Sequence, residues 1–282
     1  MNMSPPQTYD PNRLRSISVD IRKSVISSLA VAGSGHLGGS LGLADIFTTL
    51  YFSVLNHDPH NPRWEDRDRL ILSIGHVAPV LYATLAHAGY FPVEELNTLR
   101  KMGSRLQGHP GRDHGLPGLE LSAGSLGQGL SVAVGMALAA KMDHKSHNIY
   151  CIHGDGELQE GSIWEAAMSA AHHKLDNLTA IIDRNGLQID GKTEDVMQLE
   201  PLDEKWRSFG WHVISCNGHD FGELMAAFDQ SRSVVTKPTV IIASTIMGKG
   251  VPSIEGDHRW HGKVPSREQE DLFIKELLNK CE

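Results

Sequence analysis

Polar, glycine-rich turns follow three of the apolar segments that the sequence predicts to be strands: Gly75-His76, 154–156 (Gly-Asp-Gly) and 183–186 (Asp-Arg-Asn-Gly). Asp155 and Asn185 are about one strand–helix–strand unit apart, so the last two turns should be neighbours at one edge of a sheet. Carboxylate and amide oxygens are ligands that Mg²⁺ and Ca²⁺ prefer, and glycines beside a helix start favour a bound diphosphate. This spacing is typical of a metal–diphosphate site, although Asp-Gly and Asn-Gly also occur in ordinary turns.

An alternation of apolar strands and amphipathic helices must position these turns. The predicted strands are 69–74, 148–153, 178–182, 213–216 and 238–246, and the predicted helices are 16–32, 41–55, 77–88, 124–141, 160–174, 221–231 and 266–278. The loop 103–118 is too long to be a simple connection, and 248–263 is a second loop containing Gly, Pro and His. The alternation predicts one α/β domain over 12–282, with a mainly parallel sheet and helices on both faces, after an N-terminal arm at 1–11.

The composition of the chain limits its function. It has 282 residues, a formal net charge of −8, 40% hydrophobic and 21% charged residues, which is typical of a globular protein. The acidic balance argues against nucleic-acid binding, and no apolar run approaches the length of about 18 residues needed to span a membrane. Three widely spaced cysteines, Cys151, Cys216 and Cys281, and an N-terminus without a secretory signal indicate a cytoplasmic protein.

The two turns at Asp155 and Asn185 belong to longer motifs. The segments 154–161 (GDGELQEG) and 183–191 (DRNGLQIDG) resemble the thiamine diphosphate motif of transketolases. Five further segments resemble transketolase motifs and occur in the family's order: 34–36 (SGH), 72–76 (LSIGH), 108–110 (GHP), 126–129 (LGQG) and 261–262 (HG). The resemblance runs from about residue 12 to the C-terminus. It implies a transferase that moves a two-carbon ketol unit from a ketose phosphate to an aldose phosphate.

The resemblance also implies a cofactor site for thiamine diphosphate and Mg²⁺, with Ca²⁺ or Mn²⁺ able to replace the magnesium. Asp155, Asn185 and the carbonyl of Leu187 would hold the metal ion. Gly154 and Gly156 would lie against the diphosphate. Gly124 and Leu126 would lie near the aminopyrimidine ring.

Four histidines would carry the catalytic roles that the resemblance implies. His76 and His261 would contact the diphosphate or the reacting sugar. His36 and His109 would line the substrate channel and bond the sugar hydroxyls. Imidazoles suit proton transfer near neutral pH.

A transketolase polypeptide is usually more than twice the length of this chain, which resembles only the diphosphate-binding domain. The chain is therefore similar to the N-terminal subunit of a split, two-chain transketolase. This implies a partner subunit that carries the pyrimidine-binding domain, in an α2β2 assembly. Glu160 and Glu165 resemble the family's acids that couple cofactor sites across a subunit interface.

Two positions depart from the family pattern. Arg184 precedes Asn185 where Asn or Asp is common, which leaves the ligand itself in place. Ile74 stands where other members often carry a polar residue, which could alter the channel wall. Nothing in this chain corresponds to the activating glutamate or the phosphate-binding arginines, which the resemblance assigns to the partner.

Several alternatives compete with this interpretation. The segment 33–38 matches the GxGxxG dinucleotide pattern, but the residues before it have helical spacing rather than that of a strand. The segment 248–250 lacks the spacing of a phosphate-binding P-loop. The loop histidines could bind zinc, but neither an HExxH motif nor a pair of cysteines supports a zinc site. The 2-oxoacid dehydrogenases share the GDG motif and lack the histidine motifs. A branched or sulfonated sugar as substrate, or a non-catalytic regulatory homologue, stays open.

Overall fold

A five-stranded sheet forms the centre of the computed structural model, which describes residues 9–279. The strands of the chain are β1 (Arg69–Leu72), β2 (Ile149–Gly154), β3 (Leu178–Arg184), β4 (Leu187–Gln188), β5 (Gly191–Lys192), β6 (His212–Asn217) and β7 (Thr239–Ser244). The sheet has the order β1-β2-β3-β7-β6, and all neighbouring pairs are parallel. The carboxyl ends of these five strands therefore lie at one edge, while β4 and β5 form a small antiparallel hairpin.

Helices cover both faces of the sheet, which confirms the predicted fold class. They are α1 (Pro11–Ala32), α2 (Gly38–Gly42), α3 (Ala44–Thr49), α4 (Ala78–His87), α5 (Gly129–Met142), α6 (Gly161–His172), α7 (Thr193–Val196), α8 (Leu202–Ser208), α9 (Phe221–Ser233) and α10 (Arg267–Asn279). Residues of α1, α3, α4, α9 and α10 form one hydrophobic core with the sheet, and residues of α5, α6 and α8 form another.

Alternate residues of each strand enter the two cores. On β3, Ile181 belongs to the core of α1 and α4, whereas Ile182 belongs to the core of α5 and α6. Tyr150 and Cys151 on β2 divide in the same way. Because both faces are buried, the strands are continuous apolar runs rather than alternating ones.

Two predicted helices differ clearly from the structure in extent, and several short elements were not predicted. The helix predicted at 124–141 begins only at Gly129, because Gly127 has the left-handed φ of 80° that ends regular helix geometry. The helix predicted at 41–55 is divided into α2, α3 and a π-helical turn at Leu50–Val54. The hairpin and the short helices α7 and α8 were not predicted, since elements of two to seven residues show little periodicity.

The structure tests only part of the prediction for the N-terminus. Residues 1–8 of the arm lie outside the described residues. Helix α1 begins at Pro11 instead of residue 16, and the Asp10 side chain caps it by accepting the N–H groups of Asn12 and Arg13. Cys151 and Cys216 are buried free thiols, and Cys281 lies outside the described residues. No helix among the described residues is long and apolar enough to cross a membrane.

Candidate active site

The carboxyl ends of β2 and β3 bring the two predicted turns together. Gly154 is paired with Asp183 in the parallel ladder, and the Asp155 N–H donates to the Asp183 carbonyl at 3.3 Å. The prediction that these turns are neighbours at one sheet edge is confirmed. Strand β1 ends beside them, because it pairs with β2 in register.

Asp155 connects the two turns with its carboxylate, which is 1% exposed. Oδ1 accepts the Gly156 N–H at 2.8 Å, and Oδ2 accepts the Gly186 N–H at 2.6 Å and Nη1 of Arg184 at 3.1 Å. Burial raises the pKa of Asp155, and these donors oppose the rise. A carboxylate held in this way is fixed in position before any ligand binds.

Asn185 is oriented by a buried aspartate that the sequence analysis missed. Its Nδ2 donates to Oδ2 of Asp183 at 3.0 Å, and its Oδ1 accepts the Leu187 N–H at 2.9 Å. Asp183 also accepts the Thr245 hydroxyl, and burial raises the pKa of Asp183 to about 7. The only sequence signal for Asp183 is its place at the end of an apolar strand.

The donor set at this edge fits a hard divalent cation. Asp155 and Asn185 supply carboxylate and amide oxygens, and Leu187, the first residue of β4, supplies a backbone carbonyl. Mg²⁺ takes few protein ligands and completes its shell with phosphate and water oxygens, so three such groups suffice.

Four predicted histidines meet at the same edge, although they are far apart in sequence. His36 lies between α1 and α2, His76 follows β1, His109 lies in the loop 103–118, and His261 follows a 3₁₀ turn. The His36 ring centroid is 5.0 Å from that of His76, 6.2 Å from His109 and 5.7 Å from His261. The His76 and His261 centroids are 5.0 Å apart. The structure therefore brings all four together.

The environment of the cluster keeps its imidazoles uncharged. Burial, followed by repulsion from neighbouring rings, lowers the pKa of His76 to about 3. The same causes, with the Arg100 guanidinium, lower the pKa of His36 to about 4. The pKa values of His109 and His261 are also lowered, chiefly by burial. At neutral pH each ring can both donate and accept a proton.

Two ring nitrogens of the cluster point to a ligand. Nδ1 of His36 and Nδ1 of His261 are buried and have no hydrogen-bond partner within residues 9–279. Buried polar atoms are normally paired, so an unpaired one needs an explanation such as a role in binding a ligand. These atoms fit the polar hydroxyl groups of a sugar.

The segment 122–129 lies between the histidine cluster and helix α5. It lines a cavity of about 350 Å³ together with Ser73, and Gly124 is part of this wall. Leu126 is half-buried and packs against the first core. A ring the size of a pyrimidine fits such a cavity.

The remaining predicted residues lie at the margin of the site. Glu160 precedes α6 and Glu165 lies in its second turn, and both are exposed. Glu160 is close to the segment 122–129, since a Cβ atom on Gly127 would be 2.7 Å from the Glu160 Cβ. Both acids are therefore available to a second chain.

The two departures from the family pattern have structural roles. Ile74 is 2% exposed and belongs to the first core, so it does not form a channel wall. Arg184 bonds Asp155, Glu194 and Glu200 and thereby ties the turn at Asn185 to the segment around α7. These contacts span up to 29 residues in sequence, so spacing alone did not reveal them.

Two alternatives find no support at this site. The GxGxxG-like segment 33–38 follows helix α1 rather than a strand. Across the described part of the chain, no three His, Cys, Asp or Glu side chains are placed to hold a metal ion, as a zinc site would require.

Comparison with known proteins identifies the family. The model for the transketolase thiamine diphosphate binding domain matches residues 14–277. A 6-deoxy-6-sulfo-D-fructose transketolase subunit of Clostridium sp. strain MSTE9 is 47% identical over 257 residues, which are 91% of this chain and 93% of that protein. An apulose-4-phosphate transketolase subunit of Phocaeicola vulgatus is 43% identical over 261 residues, covering 93% and 92% of the two chains.

A solved structure agrees with these relatives. The transketolase of Campylobacter jejuni superimposes with a TM-score of 0.89 at 38% identity, over 96% of this chain. The match covers only 43% of that longer transketolase. This chain therefore belongs to the transketolase family of transferases, in which it corresponds to the thiamine diphosphate-binding domain.

Proposed function

We propose that this chain is the N-terminal subunit of a two-chain transketolase that transfers a two-carbon ketol unit from a ketose phosphate to an aldose phosphate. One observation carries the proposal: four uncharged histidines meet at the sheet edge where the neighbouring turns at Asp155 and Asn185 present oxygens suited to a metal ion. Family membership and the subunit names of two relatives support it.

In this proposal, Asp155, Asn185 and the Leu187 carbonyl would hold Mg²⁺, which would neutralise the negative charge of the cofactor's diphosphate. Gly154 and Gly156 flank Asp155 and would lie against the diphosphate, and Gly124, where an added Cβ would meet no atom within 4 Å, would lie against the pyrimidine half. When bound, thiamine diphosphate supplies the carbanion chemistry that cleaves and forms carbon–carbon bonds, which protein side chains lack.

The histidines handle protons in the proposed reaction. His36 and His109 bond the sugar hydroxyls, and the unpaired Nδ1 atoms of His36 and His261 provide free bonding capacity. His76, with a pKa of about 3, is suited to hydrogen bonding a hydroxyl, whereas the neutral His261 would accept a proton from a hydroxyl and return it later.

A partner subunit completes the proposed enzyme. The chain spans 43% of the Campylobacter transketolase, and two relatives of similar length are named as subunits. We propose a partner with the pyrimidine-binding domain in an α2β2 assembly, with the exposed Glu160 and Glu165 at the contact between chains.

The sugar substrate has two candidates. Ordinary pentose phosphates are the default for the family chemistry. A sulfonated or branched sugar is the second candidate, because the Clostridium and Phocaeicola relatives are named for 6-deoxy-6-sulfo-D-fructose and apulose-4-phosphate.

The decisive experiment isolates this chain from its native cells and identifies what co-purifies. We expect a stoichiometric partner with a pyrimidine-binding domain. Thiamine diphosphate with Mg²⁺ should stabilise the complex, by about 2.7 kcal/mol at a hundredfold excess over Kd. Transfer assays with a pentulose phosphate, 6-deoxy-6-sulfofructose and apulose-4-phosphate then rank the substrates. A complex without stabilisation or transfer would support a non-catalytic homologue instead.

A further inference from the structure

A buried carboxylate, Glu157, lies beneath the candidate site and has no role in the proposed chemistry. Its side chain is fully buried. Oε1 accepts the Ser73 hydroxyl at 2.6 Å and the Gly127 N–H at 2.8 Å, and Oε2 is 2.8 Å from Nδ1 of His153. Glu157 therefore joins the end of β1, strand β2 and the segment 122–129 at one point.

Ser73 extends this connection to a second backbone group. Its Oγ accepts the Gly129 N–H at 3.1 Å while donating to Glu157. Two amides of the 122–129 segment, at Gly127 and Gly129, are thus held by one carboxylate and one hydroxyl. Ser162 adds a bond from the other side, since its hydroxyl donates to the Gly127 carbonyl at 2.9 Å.

On the side away from the cavity, the segment fits closely against its neighbours. A Cβ atom on Gly127 would be 2.5 Å from Oγ of Ser162, and one on Gly75 would be 2.7 Å from the Ala123 carbonyl oxygen. A Cβ on Gly129 would overlap Ser73. The hydrogen bonds of Glu157 and Ser73 therefore set the position of a segment that has little freedom to settle elsewhere.

We propose that Glu157, acting with Ser73, is a positioning residue that fixes the segment 122–129 against β1 and so places Gly124 for the pyrimidine half of the cofactor. This inference rests on the proposed function. It assigns to Glu157 the role of a hydrogen-bond acceptor for the segment, without contact to the diphosphate half, which the turns at Asp155 and Asn185 hold.

The substitution Glu157→Met removes both acceptor oxygens and leaves the Gly127 N–H buried without a partner. We expect amide exchange in the segment 122–129 of the full chain to become at least about tenfold faster. In the assembled complex, we expect the Kd for thiamine diphosphate to rise about tenfold, equal to about 1.4 kcal/mol, with little change in the Kd for pyrophosphate and Mg²⁺.

Two further variants separate positioning from general stability. Glu157→Gln keeps a carbonyl oxygen for Ser73 and Gly127, so it should restore slow exchange and tight cofactor binding. Asp68→Leu is the matched control, because the Asp68 carboxylate also accepts two backbone N–H groups, at Asn56 and Asn148, before β1 begins. It should destabilise the chain without changing exchange in the segment.

The outcomes distinguish this inference from the proposed function. If the wild-type complex binds neither thiamine diphosphate nor pyrophosphate with Mg²⁺, the proposed function fails. If the wild type binds both and Glu157→Met changes neither exchange in the segment nor the ratio of the two Kd values, the inference alone is overturned. Should Glu157→Met not fold, Ser73→Ala removes one hydroxyl from the same contact and gives the same test, with several-fold rather than tenfold effects expected.

Discussion

Burial keeps the four clustered histidines uncharged. As a result, single residues such as His76 make the stability of the fold depend on pH. In the unfolded chain His76 takes up a proton as the pH falls below its ordinary pKa of 6.5, whereas in the folded chain it stays neutral until about pH 3. Protons bound only by the unfolded chain favour unfolding, so stability must decrease as the pH falls through this window.

We therefore expect His76→Gln to reduce the pH dependence of folding. The urea midpoint of the wild type should fall between about pH 7 and about pH 4.5, and the fall should be smaller in the variant. His60→Gln, at an exposed position, is the control and should retain the wild-type slope. If the urea midpoint depends on pH equally in His76→Gln and the wild type, the lowered pKa of His76 is contradicted.

His261 is expected to act on protons rather than on cofactor affinity. His261→Ala should lower kcat of the assembled complex by about a hundredfold or more, the usual worth of a general acid–base group. The Kd for thiamine diphosphate should change less, because the proposed metal ligands do not include this ring. Unchanged turnover, measured by steady-state kinetics with saturating cofactor, would remove His261 from the mechanism.

Asp155 is expected to be indispensable for metal-dependent binding. Asp155→Ala removes an anionic ligand and leaves the Gly186 N–H without its acceptor, so Mg²⁺-dependent binding of thiamine diphosphate should be lost in calorimetry. Glu200→Gln weakens one partner of Arg184 and leaves Asp155 intact, so it should bind almost normally. Binding by Asp155→Ala at wild-type affinity would place the metal elsewhere.

Functional residues in short sequence motifs were predictable, whereas residues whose partners are distant in the sequence were not. The histidines and the turns at Asp155 and Asn185 were found because each sits in a short motif. Asp183, Arg184 and Glu157 gain their roles from partners up to 84 residues away, and no local pattern marks such contacts. Predicting them requires the strand order.

At the scale of elements, the junction between β1 and the segment 122–129 is where backbone approach is closest. A Cβ on Gly75 would be 2.7 Å from the Ala123 carbonyl oxygen, whereas one on Gly161, at the start of α6, would meet no atom within 4 Å. Gly75→Ala should therefore cost about 1–3 kcal/mol, as overpacking does, and lower cofactor affinity by displacing the segment.

Gly161→Ala is the matched control for this substitution. It adds the same methyl group at a helix start with open space, so its stability should be unchanged or slightly raised. Denaturant unfolding of both variants measures the difference. Equal effects of the two substitutions would mean that the contact with Ala123 does not constrain the segment.

The same region explains why one predicted helix was too long. Small apolar residues from Gly124 onward have helical spacing, but the Gly127 amide bonds Glu157, after β2, and the Gly129 amide bonds Ser73, after β1, instead of helix carbonyls. Tertiary contacts overrode local propensity there, and a sequence pattern does not contain them.

At the scale of the whole molecule, the alternation of strands and helices predicted a parallel sheet covered on both faces. It did not predict that β7 lies between β3 and β6, because crossover connections of similar length allow several strand orders. That order places Thr245, just after β7, beside Asp183 at the end of β3. The sequence therefore predicted the fold class, but it did not predict which residues are neighbours at the site.

The two cores share one sheet, so we expect them to unfold together. Ile181 and Ile182 are consecutive residues of β3, both 0% exposed, and they belong to opposite cores. Ile181→Ala and Ile182→Ala should each destabilise the chain by about 2–5 kcal/mol, the usual cost of truncating a buried isoleucine. Because the strand transmits the loss of either core to the other, thermal unfolding followed by circular dichroism should show a single transition, shifted to lower temperature in both variants. A second transition in only one variant would mean that the helix layers are independent folding units, and that the site at the sheet edge could lose one layer while keeping the other.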